Sequence, residues 1–189
     1  MRTPFRLTLD WVGALISNLA PEQSALPTPC SKWNVHDLLR HIVGVVHRVA
    51  TIGQGQNPFS VPSVIEAGLE ADWPSLFAAA ETELWEVWND DSVLDQTLTV
   101  PPGLQVDGST ALAHYVTELL VHGWDLAVAT GQPLEGPTAV AEVALDAARQ
   151  HISDHPRGGP IPFGPVQPSP PGSGPTTALA AWLGRRVPA

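Results

Sequence analysis

The sequence predicts an all-α protein built as a helix bundle, and three features predict it. Apolar residues recur at three- and four-residue spacing over several long stretches. Alternation of the strand type is confined to one short region near residues 97–106. Pro, Gly and capping residues fall where the helices should start and stop. Hydrophobic residues make up 43% and charged residues 15% of 189, which suits a folded domain rather than a disordered chain.

Phe5, Leu9, Val12, Leu15, Ile16 and Leu19 share one face, so a first helix is expected from Phe5 to Ala20. Pro21 and the Pro27-Thr28-Pro29 run end it. Asn34 is a natural cap for a second helix. Leu38, Ile42, Val45 and Val49 line its apolar face, and Gly53 closes it. A third helix is expected from Val64 to Asn89, with Pro74 interrupting it or marking a fresh first turn after Asp72. Thr97 to Val100 and Leu104 to Val106 make a short hairpin-like connection across Pro101-Pro102-Gly103. Ser109 is the expected cap of a fourth helix, Thr110 to Ala129. A fifth covers Thr138 to Ser153. The bundle is expected to occupy residues 1–154. The Pro- and Gly-rich tail, 155–189, should pack on the same domain, with one or two helical turns over Thr176 to Leu183.

The net charge of −10 argues against nucleic acid or an anionic membrane surface as partner, since both need basic groups. A single cysteine, Cys30, allows no disulfide within the chain and no cysteine-based zinc knuckle, and suits a reducing cytoplasm. Residues 1–20 lack the continuous apolar run of a signal peptide, and no stretch reaches about 18 apolar residues. A cytoplasmic location is therefore expected.

The chemistry-bearing residues cluster on the fourth helix. With Glu118 as zero, His114 lies near about −40°, His122 near +40° and Asp125 near −20°. The stripe fits either the solvent face of an amphipathic helix or one side of a metal site. Its lack of long basic side chains weighs toward the metal. Glu118 and His122, one turn apart, can grip a single ion, and Asp125 can orient His122. On the second helix His36 and His47 point away from the apolar arc and are expected in solvent. His41 lies at its edge and alone can reach the interior, which makes it the candidate third ligand. A lone histidine there could also be a satisfied core-edge residue. Cys30, in a Pro-flanked turn, has no histidine partner that the sequence identifies.

Three segments carry a resemblance. Pro27-Thr28-Pro29-Cys30-Ser31-Lys32-Trp33-Asn34-Val35-His36-Asp37-Leu38-Leu39-Arg40-His41 is one. Glu118-Leu119-Leu120-Val121-His122-Gly123-Trp124-Asp125-Leu126-Ala127 is the second. The third runs from Phe163-Gly164-Pro165 to Leu179-Ala180-Ala181-Trp182-Leu183-Gly184-Arg185. Together they resemble the actinobacterial maleylpyruvate-isomerase-like proteins of the DinB superfamily. The resemblance implies a DinB-like four-helix bundle with a His/Glu/His site at His41, Glu118 and His122. It would hold zinc, nickel or another divalent ion. It also implies a low-molecular-weight thiol such as mycothiol, an electrophilic small-molecule substrate, and a thiol transferase or isomerase reaction that could run in a homodimer. Asp125 and His114 are the candidates for proton handling. Set against the isomerase itself, the sequence is expected to be without its large C-terminal domain. A metal-dependent hydrolase and a non-catalytic metal- or ligand-binding protein are the rival readings.

Overall fold

The computed structural model describes residues 1–31, 33–158 and 163–188; Lys32, Ala189 and residues 159–162 of the expected tail lie outside the described residues. The described residues form six α-helices and one hairpin: α1 (Arg2–Ser17), α2 (Val35–Gly53), α3 (Trp73–Trp88), β1 (Thr97–Val100), β2 (Leu104–Asp107), α4 (Gly108–Thr130), α5 (Thr138–His151) and α6 (Pro175–Trp182). Helix α1 packs on α3 and α4, and α2 packs on the same two helices. Their shared core buries Phe5, Leu9, Ile42, Leu84, Leu112 and Leu119 completely or nearly so. Helix α6 lies on α5 and α4, where the buried Trp124 Nε1 donates to Thr177 Oγ1 at 3.0 Å. Among the described residues, no helix is long and apolar enough to cross a membrane.

The hairpin forms as expected, with Thr97 opposite Asp107 and Val100 opposite Leu104. Asn34 caps α2, its side chain accepting from the Asp37 N–H at 2.9 Å. Helix α1 stops at Ser17, three residues earlier than expected. The Ala20 N–H instead donates to Gln23 Oε1 at 2.9 Å, which starts a short 3₁₀ turn.

Two other boundaries differ from expectation. Helix α4 is capped by Asp107, not Ser109: the Thr110 N–H donates to Asp107 Oδ1 at 2.8 Å. Both residues suit a cap, and the strand's end decides between them. The expected start of the third helix at Val64 is also wrong. Residues 64–72 are not helical, and α3 begins at Trp73 behind Asp72, which accepts from the Ser75 N–H. The reason lies on α2, whose side chains bind the carbonyls of residues 61, 62, 63 and 65. Arg48 donates to Val61 O and Pro62 O, His41 to Ser63 O and Arg40 to Ile65 O. A helix there would take some of those acceptors for itself.

Helix α3 also corrects one of the two solvent assignments on α2. His36 is buried, only 8% exposed, with its ring edge-on to Trp73 at 5.4 Å. His47 stays partly exposed, as expected, and pairs with exposed Glu83 on α3, Nδ1 to Oε2 at 2.8 Å.

Candidate metal centre

His41 faces inward from α2 at 6% exposure. Its Nδ1 lies 2.6 Å from the Ser63 carbonyl oxygen. A carbonyl only accepts, so the proton sits on Nδ1 and the Nε2 lone pair points the other way. Nε2 lies 3.3 Å from Glu118 Oε1, yet it is buried and closes no hydrogen bond. In the tautomer that Ser63 selects, Nε2 presents its lone pair beside the Glu118 carboxylate, an arrangement suited to a shared cation.

Glu118 and His122 come from successive turns of α4, which places both side chains on the same face. One ligand atom each from His41, Glu118 and His122 lies within 4.8 Å of the others. Donors about 2.0–2.2 Å from a common zinc-like ion need to stand roughly 3.4 Å apart, so a small closure suffices. The two imidazoles sit edge to face at 4.8 Å, and Trp33 lies tilted beside them, 4.4 Å from His41 and 5.8 Å from His122. Burial alone would raise the Glu118 pKa. The His41 contact and the charges of His122, His41 and Arg48 outweigh it and hold the carboxyl below its ordinary value. Residues and chemistry thus fit a divalent ion.

Behind His122 lies a second layer. Its Nδ1 is 3.1 Å from Asp125 Oδ2, leaving Nε2 for a ligand. Asp125 is wholly buried. Arg185, three residues past α6, donates to it from Nε at 2.8 and 3.1 Å and from Nη2 at 2.9 Å. Desolvation would lower the Arg185 pKa, but the Asp125 bonds raise it on balance. Arg185 was visible in the sequence only as part of the resembling tail, with no role attached. The Ser63 carbonyl carries no sequence signal at all.

Cys30 also stands closer to the site than its turn suggested. Its sulfur, His122 and Asp125 form another group of donors within 4.8 Å. Asp125 already serves Arg185, so the trio with Glu118 is the better metal cradle. His114 is not brought to either group. It is exposed at a cavity wall near His151, where desolvation and the neighbouring imidazole lower its pKa.

That cavity has a volume of about 920 Å³ and is bordered by His41, Glu118, His122, Cys30 and Arg185. Its other walls are mostly alkyl or aromatic and come from α4, α5 and the chain around Phe163 and Leu183.

Comparison with known proteins agrees with this architecture. Residues 5–127 match the mycothiol maleylpyruvate isomerase N-terminal domain family. Two uncharacterized proteins from strains of Mycobacterium tuberculosis are each 34% identical over 178 residues, 94% of this chain and 93% of theirs. The crystal structure of the mycothiol-dependent maleylpyruvate isomerase superposes with a TM-score of 0.61 at 15% identity, and a histidine-to-alanine mutant of it with 0.60 at 13%. Both alignments cover 77% of this chain and 66% of the isomerase, so the fold is shared while about a third of the isomerase has no counterpart in the match. The chain belongs to the mycothiol maleylpyruvate isomerase N-terminal domain family.

Proposed function

We propose that this protein holds a divalent metal ion, zinc before nickel or another ion, between His41, Glu118 and His122. We further propose that it uses a low-molecular-weight thiol, of which mycothiol is the one its family is named for, in a transferase or isomerase reaction in the cytoplasm. The observation that carries the reading is the buried, unsatisfied His41 Nε2 facing the Glu118 carboxylate. The family match supports the thiol.

An ion held there supplies Lewis-acid charge that keeps a bound thiol ionised near neutral pH. The chain's own groups do the rest. Ser63 fixes the His41 tautomer, and Asp125 fixes the His122 ring. Trp33 covers both imidazoles and limits water. Asp125 serves as a positioning residue, because its oxygens are committed to Arg185 and His122. His114, with its lowered pKa, is neutral at pH 7 and can take a proton at the cavity wall.

Hydrolysis by an activated water is less well supported. Glu118 is a ligand in this arrangement and Asp125 is occupied, so the base would have to be His114, which belongs to neither donor group around the ion. The test is a thiol-transfer assay with mycothiol and a panel of electrophiles, with metal-loaded and metal-stripped protein. Turnover that appears only with both metal and thiol is expected. Equal rates without metal would overturn the reading.

A further inference from the structure

We propose that the cavity beside the metal trio binds a neutral, largely apolar molecule as the electrophilic partner, not a small dicarboxylate. This rests on the thiol reading above, which assigns the trio to the metal ion and the ion to the thiol sulfur.

The walls carry the argument. Ala113, Thr117 and Val121 are spaced four apart on α4 and present one continuous face. Ala148 and Ile152 at the end of α5 and Leu183 after α6 bound the same space. Small side chains on α4 and α5 leave the room; branched and aromatic ones supply apolar surface. At about 920 Å³, the volume is near the top of the ~300–1,000 Å³ range of sites that enclose drug-sized ligands. A molecule filling it gains in proportion to the apolar area it removes from water.

The charges point the same way. Among the described residues, the formally cationic groups on the cavity are Arg185 and the amino group of exposed Met1. Arg185 has both Nε and Nη2 engaged with Asp125. His114 stays neutral at pH 7 because its pKa is lowered. A dianion would give up its water against alkyl groups, without an uncommitted guanidinium to receive it. A neutral molecule meets none of these penalties.

The test uses the full metal-loaded chain and N-phenyl-1-naphthylamine, a neutral probe whose fluorescence rises in apolar surroundings. A saturable one-to-one rise is expected, and excess maleate should not reverse it. Ala113→Phe on α4 and Ala147→Phe on α5 should each weaken the probe by about tenfold or more. Both positions border the cavity and neither is fully buried, so a phenyl ring can enter from either side. The maleate competition decides the matter on the wild-type chain even if a variant fails to fold. Absence of saturable binding, displacement by maleate, or folded variants that bind as tightly as wild type would each overturn the proposal. Metal content of the same samples reports on the thiol-enzyme reading separately: bound metal with no probe binding removes only the substrate class.

Discussion

Asp125→Asn removes one negative charge and leaves the shape of the side chain almost unchanged. In the wild-type chain the carboxylate accepts three bonds from Arg185 and faces His122 Nδ1. Breaking a buried ion pair from one side costs about 3–5 kcal/mol, because the surviving charge loses its partner. Arg185 keeps 19% side-chain exposure, so water recovers part of that loss, and the low end, about 3 kcal/mol, is expected. With a urea slope of roughly 2 kcal/mol per molar, the midpoint should fall by about 1.5 M. The same substitution loosens the His122 ring, and loss of such an orienting partner typically weakens metal affinity by about 10–100-fold. Equilibrium urea unfolding of the metal-free chain reads the first effect, and a competitive zinc titration reads the second. A midpoint within a few tenths of a molar of wild type, together with unchanged zinc affinity, would refute the reasoning that links Arg185, Asp125 and His122.

Two further perturbations test the frame around the site. Gly123→Ala, between His122 and Trp124, places a methyl group against the Trp11 ring. The helix gains up to about 1 kcal/mol in propensity but overpacking costs about 1–3 kcal/mol, so thermal unfolding should show a net loss; a stabilised variant would mean that Trp11 moves freely. Glu81 has its pKa raised above 4.5, first by burial and then by Asp10, with Arg6 partly opposing. Its stabilising contribution is therefore present below the unfolded value of 4.5 and lost as pH rises through the raised folded value. Glu81→Gln should raise the melting temperature at pH 7, and the advantage should vanish in acid. A difference that is constant with pH would contradict this.

Much of the fold is legible locally. Periodicity and the Asn34 cap locate α2, and the break around Pro101-Pro102-Gly103 locates the hairpin. Helix arithmetic alone puts Glu118, His122 and Asp125 on one face, because four-residue spacing is a property of any helix. What the sequence hides depends on distant partners. Residues 64–72 read as helical, but side chains of α2 from 13 to 25 positions away hold the carbonyls just before and within that segment. His36 reads as solvated, but Trp73 closes over it. Arg185 meets Asp125 across 60 residues, a pairing that no periodicity encodes. Cys30 joins the site for the same reason: its turn is local, while the approach of α4 is not.

The account turns on the trio of His41, Glu118 and His122, and metal content tests it most directly. Untagged wild-type protein and the His41→Ala, Glu118→Gln and His122→Ala variants should be analysed side by side by mass spectrometry, with circular dichroism to confirm that each is folded. One equivalent of a divalent metal in the wild type and little in any folded variant is the predicted result. A wild-type chain that takes up no metal even from added zinc, or variants that retain it fully, would contradict the claim.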